Sequence, residues 1–124
     1  MIYLDTHVVV WLFLGDLTRL SQAAKTAIST HPIAISPIVT LELTYLHEIG
    51  RFKPHASTLV AYLAAQIDLR ICDLPFTQVI EAAGKQTWTR DPFDRIIVGQ
   101  AAVRTCKLVT KDETIQAHYA HAIW

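Results

Sequence analysis

Four acidic residues, Asp5, Glu42, Asp94 and Asp112, are the side chains of this sequence best suited to chemistry. Asp5 ends the short apolar run Met1-Ile2-Tyr3-Leu4, and Asp112 follows Leu108-Val109-Thr110-Lys111. Glu42 and Asp94 fall in the opening turns of predicted helices. A carboxylate at the end of a buried strand is costly unless something compensates it. In an open parallel sheet the strand ends share one crevice, and ligands bind there. Several carboxylates converging on that crevice would repel one another, and a divalent cation relieves the repulsion. Ligands that are all oxygen point to Mg²⁺ or Mn²⁺. Such an ion can activate water and neutralise charge on a phosphoryl group, which suits hydrolysis of a phosphodiester.

Each acid also has a plain structural role open to it. Asp5 can cap the helix that follows. Asp112, before Glu113-Thr114, suits a helix entry. In Asp91-Pro92-Phe93-Asp94, Asp91 takes the cap, Pro92 the first helical position and Asp94 the third, as in a capping box. Capping alone leaves unexplained why so apolar a helix (Ile96, Ile97, Val98, Ala101, Ala102) opens with so much charge. Asp91 as cap and Asp94 as metal ligand is the combination expected. Glu42 could mark a solvent face, but i,i+4 spacing sets it on one stripe with Ile38 and Leu46.

Stepping outward, the elements that must position these acids alternate. Strands are predicted at Ile2–Leu4, Ile33–Ile35, Leu69–Cys72, Lys107–Thr110 and Ala122–Trp124. Between them lie helical stretches: Val8–Leu14 with Thr6 as its cap, a second after Ser21, and one from Pro37 to Ile49 after Ser36. Further stretches run over 56–66, from Thr77 to Gly84, from Pro92 to Thr105 and over 113–118. Alternation of this kind means a parallel sheet covered on both faces, with right-handed crossovers. At 124 residues the chain is expected to be one domain, 1–124, with one core.

Leu4-Asp5-Thr6-His7, Glu42 in the third helix, Asp91-Pro92-Phe93-Asp94-Arg95 and Leu108-Val109-Thr110-Lys111-Asp112 occur in that order along the chain. The set resembles the PIN-domain nucleases, in particular the VapC-type toxins of toxin–antitoxin pairs, over essentially the whole chain. The resemblance implies a three-layer α/β/α domain with strand order 3-2-1-4-5 and a Mg²⁺- or Mn²⁺-dependent endoribonuclease acting as the toxin of such a pair. By carry-over, Asp5, Glu42, Asp94 and Asp112 match the metal-binding, catalytic acids. Asp91 matches an accessory acid, and Thr6 and Thr110 match hydroxyl residues beside the site. The chain departs from the subgroup at Thr89, where histidine is frequent, and at Leu41, where tryptophan is frequent. Neither departure removes a candidate ligand. Arg90, Arg95 and Lys111 flank the acids and are candidates to hold RNA phosphates. His7 is a candidate for substrate contact or for lining the first helix.

Composition limits the alternatives. Formal charge is zero, so global electrostatics announce no nucleic-acid partner. The charge is uneven, because Lys85, Arg90, Arg95, Arg104, Lys107 and Lys111 stand against Asp91 and Asp94, a net of +4 in residues 85 to 111. No apolar stretch approaches the roughly 20 residues of a membrane span. The N-terminus lacks a basic region and cleavage site, so a cytoplasmic protein with Cys72 and Cys106 as buried thiols is expected. Hydrophobic residues make up 52% of the chain, and mean hydropathy is +0.29. That surplus, with Trp11, Phe13, Leu14, Leu43, Tyr45 and Leu46 on early helices, predicts a homodimer face and a groove for an antitoxin segment.

No Gly-rich phosphate loop or Ser or Cys nucleophile motif is present. His118 and His121 lack the partners of a zinc site and read as surface residues. Two rivals remain from other classes: a non-catalytic PIN module that binds RNA or protein, and a phospho-receiver-like signalling domain. The receiver needs an acidic pair after the first strand and an acceptor at the end of the third. Asp5 has no acidic neighbour, and Asp73 is the only acceptor available.

Overall fold

The computed structural model describes residues 1–124. Five short strands form one fully parallel sheet: β1 (Ile2–Leu4), β2 (Ile33–Ile35), β3 (Arg70–Ile71), β4 (Lys107–Val109) and β5 (Ala122–Ile123). Their order is β3-β2-β1-β4-β5, as the resemblance implied. Ile2 pairs with Ile33 on one side and Lys107 on the other, so β1 is the central strand. The chain turns to opposite sides of β1 for β2 and β4. The carboxyl end of β1 is therefore the topological switch point, where a crevice opens between diverging connections.

Seven helices cover the sheet: α1 (Thr6–Leu14), α2 (Gln22–Thr30), α3 (Pro37–Glu48), α4 (Ala56–Ile67), α5 (Phe76–Gly84), α6 (Pro92–Ala102) and α7 (Glu113–His118). A single 3₁₀ turn, Leu17–Arg19, follows α1. All three residues of β1 and of β2 are buried. Strands buried on both faces read as continuous apolar runs, the signature of a parallel sheet with helices above and below. The core joins these strands to Val8 and Val9 of α1, Val39 and Leu43 of α3, Leu59 and Leu63 of α4, and Ile97 and Val98 of α6.

Local chemistry sets where the helices begin. Asp5, not Thr6, caps α1, its carboxylate accepting the Thr6 N–H at 2.7 Å. Ser21 and Ser36 cap α2 and α3 as expected. No side chain caps α5, which starts at Phe76 after Pro75, two residues earlier than a Thr77 cap would allow. Proline's fixed φ preorganises that start. α1 contains three consecutive valines, poor helix formers. Burial of Val8 and Val9 overrides the propensity, and Gly15 closes the helix at φ +69°, a left-handed conformation costly for other residues. α6 ends at Ala102, short of the expected Thr105, because Thr105 itself adopts φ +54°.

Both cysteines are free and half-buried, and the Tyr3 hydroxyl lies 2.9 Å from the Cys72 sulfur. No helix is long and apolar enough to cross a membrane.

Candidate active site

The crevice at the end of β1 is a pocket of about 380 Å³ lined by Asp5, Thr6, His7, Val10, Glu42, Leu46, Asp91, Asp94 and Asp112. Four separate segments deliver its acids. Asp5 follows β1, Glu42 projects from α3, Asp91 and Asp94 open α6, and Asp112 stands between β4 and α7. The four acids singled out in the sequence, and Asp91 with them, thus share one cavity.

Three of them reach it through their role as helix caps. One oxygen of each carboxylate is committed to backbone N–H groups, which fixes the side chain. Asp91 Oδ1 accepts from Phe93 at 2.8 Å and from Asp94 at 3.3 Å. Asp112 Oδ1 accepts from Thr114 at 2.8 Å and from Ile115 at 3.0 Å. Asp5 Oδ1 takes the Thr6 N–H, and Asp5 Oδ2 accepts from the Thr110 hydroxyl at 2.6 Å. Capping and clustering are not alternatives here, because the cap is what holds the carboxylate at the pocket.

The two threonines act as struts. Thr110 is fully buried; its oxygen also accepts the Asp112 N–H at 3.1 Å, so one hydroxyl links two acids. The Thr6 hydroxyl donates to Glu42 Oε1 and ties α3 to α1. His7, less legible in the sequence, lines the same pocket. Its Nε2 accepts the Lys111 N–H at 3.0 Å, which leaves the proton on Nδ1, 3.6 Å from Asp5 Oδ2. The only sequence signal was its place directly after Asp5-Thr6.

Asp94 differs from the others because no donor relieves it. Burial, and then the charges of Asp91, Asp5, Asp112 and Glu42, push its carboxyl up to about 7. Burial also raises Glu42, assisted by Asp5 and Asp91 and opposed by the Thr6 hydroxyl. A site that holds an acid protonated near neutrality is short of positive charge.

The flanking cations do not supply it. Arg95 donates from Nε to the Ala83 carbonyl at 3.2 Å and from Nη2 to that of Gly84 at 3.0 Å, which fastens α6 to the end of α5. Arg90 donates from Nη1 to the carbonyls of Thr87 and Thr89 within its own loop. The Lys111 ammonium lies 5.7 Å from the centre of the Trp11 ring.

The deficit suits a hard divalent cation, and every acidic donor in the pocket is an oxygen. No three acidic, imidazole or thiol groups are drawn together tightly enough to form a closed metal cage. Mg²⁺ does not require one, since it keeps several of its waters rather than relying on an all-protein cage. The residues present therefore fit such an ion.

Comparison with known proteins gives the family and the fold. The sequence model of the PIN domain family matches residues 2–121. The chain belongs to the PIN domain family. Among curated relatives, it is 29% identical over 119 residues to ribonuclease VapC22 of Mycobacterium tuberculosis, covering 94% of this chain and 91% of the relative. Two solved structures share the PIN fold at lower identity. One is a toxin–antitoxin complex from Klebsiella pneumoniae, with TM-score 0.62 and 19% identity, covering 100% of this chain and 97% of that one. The other is VapBC2 from Rickettsia felis bound to a DNA fragment from its promoter, with TM-score 0.64 and 20% identity, covering 99% and 96%. The strand order and the family exclude the phospho-receiver reading. β3 is an edge strand, and Asp73 beyond it does not line the acidic pocket.

Proposed function

We propose that residues 1–124 act as one metal-dependent endoribonuclease, the toxin of a type II toxin–antitoxin pair working in the cytoplasm. The observation that carries this reading is the pocket in which burial and four neighbouring carboxylates raise Asp94 to about 7. The likeness to ribonuclease VapC22 supports RNA as the substrate class.

In this reading Asp5, Glu42, Asp94 and Asp112 hold Mg²⁺ or Mn²⁺, with Asp91 as an accessory acid. The bound ion supplies an acidified water and offsets charge on the phosphodiester in the transition state. The chain's own residues prepare that chemistry. Caps at Asp5 and Asp112 and the Thr110 strut hold two carboxylates before substrate arrives, so little reorganisation remains for the reaction. Thr6 holds Glu42 on the opposite wall. Asp94, left without a donor, is the carboxylate most relieved by a cation.

Partners follow from the surface. A groove of about 480 Å³, lined by Leu12, Leu17, Leu20, Ile28, Ile67 and Lys25 among others, suits an amphipathic antitoxin segment. One of the solved structures that share the fold is a toxin–antitoxin complex from Klebsiella pneumoniae, which supports this partner. Leu41, Tyr45, Phe76 and Ile80 are each 42% or more exposed and form the proposed homodimer face. Of the residues expected on such a surface, Tyr45 and Leu14 are exposed, whereas Leu43 is buried in the core because it lies on the inner side of α3.

The test is cleavage of total RNA by the purified chain, mapped with and without EDTA. Cleavage in Mg²⁺ or Mn²⁺ that stops on chelation is the expected result. Cleavage that persists in EDTA overturns the metal mechanism, and no cleavage with either ion overturns the nuclease reading.

A further inference from the structure

A pocket walled by five carboxylates repels the polyanion it is proposed to cut. Some cation must bring the strand in, and most nearby cations are already engaged. Arg95 and Arg90 donate to backbone carbonyls. Lys111 is different, since the ion pairs of the protein are Arg19–Asp16 and Arg70–Asp68, and neither involves it. Its ammonium instead rests 5.7 Å from the centre of the Trp11 ring. The Arg19 guanidinium sits at the same 5.7 Å from that ring. Asp16 grips Arg19 by its Nε edge at 3.0 Å, which leaves both Nη groups without a protein partner.

One indole thus carries two cations, each attracted to the ring and kept from wandering over the surface. The ring is fixed in turn. Trp11 packs on His7 at 4.9 Å and on Trp124 at 6.0 Å between ring centres. His7 lines the acidic pocket and accepts the Lys111 backbone N–H, so the platform begins at the pocket's rim. We propose that Lys111 and Arg19, held on Trp11, form a phosphate clamp that receives the RNA backbone beside the scissile bond, on the α1 side of the pocket. The clamp rests on the nuclease reading. Trp11 is a positioning residue, acting through the two cations.

The test uses the full chain with Asp94→Asn, to bind without cutting, and a short fluorescein-labelled oligouridine. Anisotropy titrations in Mg²⁺ across about 50 to 200 mM salt give the slope of log affinity against log salt. Lys111→Gln and Arg19→Gln should each make that slope shallower by about 0.7, the value for one phosphate contact on a single strand. Arg70→Gln, at the far edge of the sheet, should leave it unchanged. Trp11→Leu should lose both contacts and Trp11→Phe should retain them. In the cleaving protein, Lys111→Gln should raise KM and leave kcat within about twofold, as expected for loss of uniform binding. Wild-type slope and KM in both cation variants overturn the clamp, and so does a loss confined to kcat. A wild-type chain that neither binds nor cuts RNA overturns the nuclease reading and the clamp with it.

Discussion

The Thr110 hydroxyl donates a 2.6 Å hydrogen bond to Asp5 Oδ2, joining the ends of the adjacent strands β4 and β1 across 105 residues of sequence. Both residues are at most 4% exposed, so no water competes for the contact. Thr110→Val keeps the shape and removes the donor. It leaves a buried carboxylate oxygen unpaired and costs the Asp112 N–H its acceptor. Loss of about 1–3 kcal/mol in urea unfolding is expected, along with weaker Mn²⁺ binding by calorimetry. Thr110→Ser should restore most of both. Equal stability of the valine and serine proteins would show that the bond contributes nothing.

Asp94→Asn separates catalysis from folding. If Asp94 holds the ion, RNA cleavage should fall by at least about 100-fold, the upper range for losing only an outer partner of a metal site. The metal-free protein should nevertheless be at least as stable as wild type at pH 8, because one of five mutually repelling carboxylates is gone. A variant that keeps full activity would remove Asp94 from the mechanism.

The same residue gives a pH dependence with a definite sign. The unfolded carboxyl titrates at about 3.8 and the folded one at about 7, so between these values the folded state binds more protons. Stability of the metal-free protein therefore falls as pH rises through this window, and the contribution is fully present only below its lower end. Glu42 is raised as well and adds in the same direction. Asp94 is only half-buried, so solvent screening reduces the slope. Melting curves in EDTA should show wild type losing ground to Asp94→Asn as pH rises from 5 to 8. Saturating Mg²⁺ at pH 8 should recover it, by about 2.7 kcal/mol at 100 times Kd. Parallel pH curves for the two proteins would refute the assignment.

Much of this was legible in the sequence because it rests on short-range chemistry. Asp91-Pro92 announces a capped helix and Ser36-Pro37 another, and buried apolar triplets announce parallel strands. The strand order and the four acids came with the family resemblance, since neither follows from local spacing. What stayed hidden depends on pairs distant in sequence. Nothing local says that Thr6 reaches Glu42 or that His7 accepts from Lys111. The charge of Arg95 beside Asp94 suggested a substrate contact, yet i,i+1 neighbours on a helix point apart, and the guanidinium turns to α5. Leu43 and Leu46 looked alike as surface candidates, and only the packing of α3 against α4 and α6 puts the first of them inside.

That attachment of α6 to α5 has its own weak point at Gly99. A Cβ placed there would stand 2.7 Å from the Ala83 nitrogen, 2.9 Å from its Cα and 3.0 Å from the Val79 carbonyl. These are backbone atoms and cannot swing aside, so alanine would force the helices apart. Helix propensity alone favours alanine over glycine by about 1 kcal/mol. Overpacking costs about 1–3 kcal/mol, so the net change expected is destabilising. The functional cost should be larger than the stability cost. α6 carries Asp94 at its start, and Arg95 one residue on is fastened to the carbonyls that end α5. Moving α6 off α5 shifts Asp94 from the other acids, and shifts as small as 1 Å reduce rates by about 100-fold. Gly99→Ala should therefore unfold at lower urea and lose RNA cleavage under conditions where it remains folded. Stability equal to or above wild type would mean that the two helices tolerate a wider spacing, and full activity in a destabilised variant would uncouple the α5–α6 contact from the site.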